Sequence, residues 1–188
     1  MVGRLIAGWV QGTGLAGLLL LGLTPVLAAD WSPAVLAAWL CLPVYMIHQF
    51  EEHDDGRFAR FVNQRFGRGG EVLGAEAIFL VNVPVVWGAT AAGFAWAAAG
   101  RADMALLGIY LVLVNGLIHV GQAVGLRASN PGLITAVVLF LPLGVHGLTV
   151  VEADLATHLS ALILVIVLHG VIVLHALGRI DAGAGDGG

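Results

Sequence analysis

Six long apolar stretches, separated by short polar segments, constrain the fold of this chain more than any other feature of its sequence. A helix needs about 20 apolar residues, at roughly 1.5 Å of rise per residue, to cross the hydrocarbon core of a bilayer. The stretches cover approximately residues 5–29, 34–50, 72–99, 104–126, 133–151 and 155–177. The sequence therefore predicts an all-α protein, a polytopic bundle of about six transmembrane helices.

The composition agrees with a membrane protein. Of the 188 residues 59% are hydrophobic and 11% are charged, and the mean hydropathy of +0.95 is far above that of a soluble domain. No basic tract with interleaved aromatic residues is present, so no nucleic-acid partner is expected. The single Cys41 excludes an internal disulfide and a cysteine-based metal site. We expect one transmembrane domain over residues 1–180 and a glycine-rich, disordered tail over 181–188.

The arginines predict the orientation of the bundle. With six crossings and a cytoplasmic N-terminus, Arg101 alone lies outside. The positive-inside rule therefore favours an integral protein of a bacterial inner membrane whose N-terminus is cytoplasmic. The sequence Val-Leu-Ala-Ala before Asp30 resembles a signal-peptidase site, and cleavage there would leave five helices in the same orientation. The length of the first apolar run favours its retention. The arginines on the cytoplasmic side are Arg4, Arg57, Arg60, Arg65, Arg68, Arg127 and Arg179.

The segment after the second stretch has the pattern of an amphipathic helix. Phe58, Phe61, Val62 and Phe66 recur at helical spacing, and arginine and amide side chains occupy most of the positions between them. Such a pattern is typical of a short helix that lies in the membrane interface. A solvated loop is the alternative.

Residues 46–55, at the end of the second apolar stretch, contain two histidines and four carboxylates. Groups that are costly to place in lipid are usually functional when they occur there. His48 precedes Glu51 and Glu52 by three and four residues, so all three side chains share one helix surface. The alternative is that this segment only ends the helix in water, where its acids pair with Arg57 and Arg60.

Other histidines reach a similar depth on different helices. Counting from the cytoplasmic arginines, His119 and His169 lie about as deep as His48, whereas His146 and His158 lie near the opposite side. On the fourth helix His119 shares one face with Asn115 and Gln122, at spacings of four and seven residues. That face is expected to point into the bundle. His175 lies on the same side of the membrane as His119, closer to the interface.

This set of side chains suits metal binding. A histidine and a carboxylate one turn apart give two preset ligands, and a histidine from a facing helix completes a site. Nitrogen and oxygen ligands without sulfur suit zinc, iron or manganese. One of Glu51 and Glu52 would bind the metal, and the other would act as the catalytic acid or base. The predicted metal ligands are His48, Glu51, Glu52, His119 and His169, and Asn115 and Glu76 are predicted to contact the bound cofactor.

Three functions agree with these residues. The first is a membrane metalloenzyme, a hydrolase or an oxidoreductase, that acts near the cytoplasmic leaflet on a lipidic or otherwise apolar substrate and has membrane lipids as partners. The second is a metal-free acid–base enzyme that uses a buried Glu with His119 as its partner. The third is a non-enzymatic proton-coupled carrier, sensor or accessory protein. A carrier is expected to have polar residues continuing across the bilayer, and the apolar middles of the third and fifth stretches disfavour it.

The sequence His48-Gln49-Phe50-Glu51-Glu52 resembles the signature of the HXXEE membrane proteins. In that family the motif is accompanied by a further histidine and a Tyr-x-Pro-Gly element. These correspond to His119 and to residues 129–132, where this chain has Ser129 in place of the tyrosine. The resemblance extends over roughly residues 40–145 and implies a shared architecture and site, but no reaction.

Intramembrane glutamate proteases offer a second comparison. They carry a Glu-Glu pair followed by an arginine and later histidines, similar to Glu51, Glu52, Arg57 and His119 here. The arginine comes one place late, however, and no Phe-x-x-x-His follows it. This resemblance therefore supports only the metal-free alternative.

Overall fold

The computed structural model describes residues 2–67 and 71–185, and in these residues all regular structure is helical. A helix long and apolar enough to cross a membrane covers each of the six predicted stretches. The predicted all-α bundle of six membrane helices is therefore confirmed. The helices are α1 Val2–Leu27, α2 Pro33–His53, α3 Arg57–Phe66, α4 Ala75–Ala98, α5 Ala102–Leu126, α6 Leu133–Val150 and α7 Leu155–Gly185.

The helix α2 starts at a proline and ends in a sharp reversal. Ser32 caps its N-terminus by accepting a hydrogen bond from the backbone N–H of Val35 (3.4 Å). At the other end Asp55 and Gly56 adopt positive φ angles of 53° and 65°, and the chain turns directly into α3. The predicted short helix over Arg57–Phe66 is therefore present.

The helix α1 packs against α2 through small residues. A Cβ atom on Gly17 would lie 2.8 Å from the backbone oxygen of Pro43, and one on Gly14 would lie 2.9 Å from the Phe50 ring. Glycine allows this close approach of two helices, which is a common basis of helix packing in membranes.

The helix α5 is the centre of the bundle. It packs against α2, α4, α6 and α7, and its side chains Leu106, Ile109, Leu111 and Val112 are fully buried. These residues fill the half of the bundle away from residues 127–132. That half is an apolar core.

Two helices contain a widened turn near a proline. Residues Val81–Trp87 of α4 are π-helical around Pro84, and residues Ala136–Phe140 of α6 are π-helical just before Pro142. Proline lacks the N–H of a regular turn, and its ring clashes with the carbonyl four residues earlier. Wide turns relieve this clash, and they frequently occur beside functional sites.

The helix α7 is the most exposed of the spans, since 6% of the residues in its most apolar 18-residue segment are buried. It begins after Asp154, whose Oδ1 accepts a hydrogen bond from the backbone N–H of Thr157 (2.7 Å). Hydrogen bonds from the hydroxyl and the N–H of Thr157 hold the pKa of the Asp154 carboxyl below its usual value. The helix continues to Gly185 and so includes the first part of the tail for which the sequence predicted disorder. Residues 186–188 lie outside the described residues.

Candidate functional site

A buried cluster of two imidazoles and one carboxylate lies where the end of α2 meets α5. His48 Nε2 lies 3.6 Å from Glu52 Oε2, and His119 Nε2 lies 3.5 Å from Glu52 Oε1. The ligand atoms of the three residues all lie within 4.8 Å of one another. The exposed fractions of these residues are 0%, 7% and 4% for His48, Glu52 and His119. The group is therefore almost completely shielded from solvent and lipid.

A hydrogen-bond pair with Asn130 fixes the tautomer of His119. The amide nitrogen of Asn130 donates to the backbone oxygen of His119 (2.8 Å), which turns its Oδ1 towards the ring. The ring Nδ1 of His119 lies 2.7 Å from that oxygen. Because an amide oxygen can only accept, Nδ1 carries a proton, and in the neutral ring Nε2 therefore presents its lone pair to Glu52.

The ring of His48 is oriented through Thr135 of α6. Its Nδ1 lies 2.8 Å from Thr135 Oγ1, which in turn lies 2.5 Å from Glu51 Oε2. The single hydroxyl hydrogen of Thr135 goes to the carboxylate, so the hydroxyl oxygen accepts from Nδ1 of His48. In the neutral ring Nε2 of His48 therefore also carries a lone pair, and it has no hydrogen-bond partner in the described residues.

The arrangement can hold a metal ion. Two nitrogen lone pairs and a carboxylate converge in a buried space, and such acceptors need a cation or a proton between them. In a tetrahedral zinc site with bonds of roughly 2.0–2.1 Å, ligand atoms stand about 3.4 Å apart. The separations of 3.5 and 3.6 Å, which join the two rings to different oxygens of Glu52, are close to that value, and the three ligand atoms lie within 4.8 Å of one another. Outer-shell hydrogen bonds on the second ring nitrogen, as Asn130 and Thr135 provide, are typical of metal-bound histidines.

Gly132 closes the site from the loop between α5 and α6. Its φ angle is +89°, which side chains with a Cβ rarely adopt. A Cβ there would lie 2.7 Å from His48 Cε1 and 2.9 Å from His119 Cε1. Only glycine leaves room for both rings at this position.

Glu51 lies outside the three-residue cluster and binds the first turn of α6. Its carboxylate accepts hydrogen bonds from the backbone N–H groups of Ile134 (3.1 Å) and Thr135 (2.7 Å). An acidic residue at the end of α2 would by itself oppose the dipole of that helix. The contact explains its position, because the carboxylate caps the positive end of α6 instead.

Asp54 and Asp55 lie at the surface, whereas His53 is buried. Arg57 Nη2 lies 3.5 Å from Asp54 Oδ2, and Arg60 Nη2 lies 3.0 Å from Asp55 Oδ2, in exposed pairs. His53 is 5% exposed, and its Nε2 lies 3.0 Å from Glu52 Oε2. The expectation that the segment only ends the helix and pairs with arginines therefore holds for Asp54 and Asp55. His53 belongs beside the cluster.

A cavity of about 400 Å³ opens beside the cluster. Glu52, His53 and His119 form its inner end, and apolar side chains of α4, α5 and α7 form most of its wall. The volume is in the range of small-molecule sites in proteins, roughly 300–1,000 Å³. Its wall comprises Tyr45, Phe58, Leu73, Ala77, Ile78, Leu80, Val81, Asn82, Val86, Leu111, Asn115, Ile118, Gln122, Leu168, His169, Val171, Ile172, Val173 and His175.

The other predicted site residues take different places. Asn115, Gln122 and His169 line the cavity, as expected for side chains that face the bundle interior. The ring Nδ1 of His169 donates to the backbone oxygen of Val165 (2.8 Å), and His169 is outside the three-residue group. Glu76 is exposed in the first turn of α4, away from the cavity wall. The predicted ligand role of His169 and the predicted cofactor contacts of Asn115 and Glu76 stay predictions.

Sequence reasoning missed the polar contacts that support the cluster. Thr135 lies in the fifth apolar stretch, which also contains Thr149, and no spacing connects it with the motif. Asn130 and Gly132 belong to the Pro-Gly element, but the sequence has no signal for their contacts with the two rings. Gln49 connects α2 with α4, since its amide nitrogen donates to Asn82 Oδ1 (2.9 Å) and its oxygen accepts from Trp87 Nε1 (2.6 Å).

These features define a polytopic membrane protein with a buried His/Glu cluster inside its helical bundle. The family model described as "Protein of unknown function with HXXEE motif" matches residues 39–146. The match covers more than half of the chain, so the chain belongs to this family, as the resemblance implied. No curated protein and no solved structure matches the chain. The matched region includes the motif, His119 and Gly132, which are the parts that meet at the cluster.

Proposed function

We propose that this protein is a membrane metalloenzyme that binds a divalent metal ion through His48, Glu52 and His119 and acts on an apolar substrate. Zinc, iron and manganese are the candidate metals. The observation that carries the proposal is the pair of Nε2 lone pairs, both freed by hydrogen bonds at Nδ1, that point at one buried carboxylate.

The ligand number favours catalysis over a structural role. Structural zinc sites usually have four protein ligands, whereas catalytic sites keep a position open for water or substrate. Here two of the three candidate ligands, Glu52 and His119, line a cavity large enough for a small molecule. A metal held there would polarise a substrate oxygen or lower the pKa of bound water. Glu52 and the two histidines bind it, and the surrounding helices exclude bulk water.

The proposal gives Glu51 a positioning role. Its carboxylate is already used by two backbone N–H groups and the hydroxyl of Thr135, and through Thr135 it orients His48. Of the two glutamates, Glu52 is then the metal ligand. The proposal does not assign the role of catalytic acid or base to Glu51. By the distribution of the arginines, the site lies in the cytoplasmic half of the membrane.

A metal-free acid–base site is the second candidate. It is favoured by the distance of 3.0 Å between His53 Nε2 and Glu52 Oε2, which suits an imidazole–carboxylate pair. A proton-coupled carrier has less support, because Leu106, Ile109 and their neighbours form an apolar core beyond the cluster.

Elemental analysis tests the proposal. Protein purified in detergent without chelator is expected to contain stoichiometric zinc, iron or manganese, and Glu52→Gln and His119→Ala are expected to lose it. Glu152→Gln and His146→Ala change exposed residues and should retain the metal. A folded wild-type protein without metal, and with none bound after incubation with each ion, would overturn the proposal in favour of the metal-free candidate.

A further inference from the structure

The cavity beside the cluster opens sideways between two membrane helices. The helix α7 packs mainly against α5, so α4 and α7 face each other across the cavity. Leu80 of α4 and Val171 and Val173 of α7 line it and are 58%, 58% and 56% exposed. Because these residues lie within membrane spans, the mouth of the cavity faces the hydrocarbon of the bilayer. A ligand enters from the lipid phase.

The wall of the cavity changes character along its length. The mouth and the middle are formed mostly by aliphatic side chains, with Gln122, His169 and the exposed His175 among them, whereas Tyr45, Asn115, His119 and Glu52 gather at the inner end. A ligand that suits this gradient has one long apolar chain and a small polar head. The head reaches the candidate metal ligands, and the chain lies between α4 and α7.

One polar atom at the inner end lacks a partner. The amide nitrogen of Asn115 donates to the hydroxyl of Tyr45 (2.9 Å), which turns Oδ1 away from that bond. Oδ1 is buried and accepts no hydrogen bond within the described residues. A buried acceptor without a donor is costly. A ligand that carries an O–H group can supply the missing donor.

The wall offers little to an anionic head. The described wall includes no arginine, and the chain contains no lysine, so histidines are the basic groups of the described wall. Glu52 places a carboxylate at the inner end. Phosphate recognition in proteins usually relies on arginine or lysine, and neither is provided here.

We infer that the cavity binds a neutral single-chain lipid with a hydroxyl head, which enters from the bilayer between α4 and α7 and donates a hydrogen bond to Asn115. This rests on the proposed function, since it names the substrate class of the same site. Asn115 is thereby a specificity-determining residue. The predicted contact of Asn115 with a cofactor becomes a contact with the substrate.

Photo-crosslinking tests the inference. The wild-type protein is placed in phosphatidylcholine nanodiscs with hexadecanol that carries a diazirine on its chain, and the labelled peptides are identified by mass spectrometry. Labels are expected near Leu80 and Val171. Ala77→Trp fills the cavity and should reduce labelling at least about tenfold, whereas Ala95→Trp, on an exposed part of α4, should not.

The role of Asn115 is tested by the methyl ether of the same probe, which cannot donate a hydrogen bond. The wild-type protein should label with the alcohol at least about fivefold more strongly than with the ether. Asn115→Leu should remove this preference while the metal content stays unchanged. An equal preference in wild type and variant would overturn the assignment of Asn115.

Two further probes separate the possible failures. Stronger labelling of the cavity by the corresponding fatty acid or by a diazirine phosphatidylcholine than by the alcohol would overturn the neutral-head inference. If the protein binds metal but Ala77→Trp does not reduce the labelling, the lipid inference is overturned and the metalloenzyme proposal is unaffected. Labelling by the alcohol that Ala77→Trp blocks, in a protein without metal, would support the lipid site and overturn the metalloenzyme.

Discussion

Gly132 places backbone, rather than a side chain, against the two imidazole rings of the cluster. Two independent requirements meet at this residue, a φ angle of +89° and a space that a Cβ would fill. The positive φ alone suits glycine at many turns. The contact with His48 and His119 makes this glycine part of the site, because any side chain there would push the rings apart.

The substitution Gly132→Ala is expected to weaken metal binding by about 10–100-fold, as other changes around metal ligands do. The strained backbone should also lower stability by roughly 1–3 kcal/mol. Metal titration and thermal unfolding in detergent measure the two effects. Gly121→Ala is the matched control, since no atom lies within 4 Å of a Cβ at that helical position. Unchanged metal affinity in Gly132→Ala would contradict the placement of Gly132 against the cluster.

At the scale of the elements, the end of α2 and the start of α6 stabilise each other. Glu51 on α2 satisfies backbone N–H groups of Ile134 and Thr135, which have no partner inside α6. The same contact brings Thr135 to the ring of His48. The HXXEE motif therefore serves two purposes within one helical turn, because one glutamate joins two helices and the other faces the candidate metal position.

The substitution Glu51→Gln is expected to destabilise the fold by about 1.5–3 kcal/mol, since it removes a charged acceptor of several hydrogen bonds. Metal affinity should fall by roughly 10–100-fold, through the lost orientation of His48, yet saturating metal should still fill the site. Thermal unfolding and metal titration check both effects. Glu152→Gln, at an exposed glutamate between α6 and α7, should change neither. Complete loss of metal at saturation, as expected for Glu52→Gln, would make Glu51 a ligand instead.

At the scale of the whole molecule, the cluster lies at one end of the bundle and the apolar core fills the other. The loop that contains Gly132, the end of α2 and the helix α3 meet at the cluster end. Most arginines belong to this end in the predicted topology, for which the positive-inside rule predicts the cytoplasmic side. The membrane orientation therefore decides which leaflet the mouth of the cavity faces.

Cysteine labelling can test this orientation, because Cys41 is fully buried and should not react. Ala99→Cys, between α4 and α5, should react with a membrane-impermeant maleimide added to intact spheroplasts. Gln64→Cys, on the exposed side of α3, should react only after the membrane is permeabilised. The reverse pattern would show that the side with most arginines is the outer side and that the site faces the outer leaflet.

The sequence by itself determined the fold class and included the residues of the cluster in a larger set of candidates. Backbone groups in lipid must be satisfied within each helix, so length and hydropathy were sufficient to predict six helices. The fixed period of the helix was likewise sufficient to place His48 and Glu52 on one surface, and Asn115, His119 and Gln122 on another. These are local properties, and a single chain displays them without reference to its neighbours.

Only the tertiary structure decided which glutamate faces the histidines and what orients the rings. Glu51 and Glu52 are adjacent in the sequence, but a rotation of about 100° per residue sends them to different neighbours. The contacts that separate them come from Thr135 and Ile134, more than 80 residues away. The sequence carries no periodic signal for such contacts, because they depend on how α6 packs against α2.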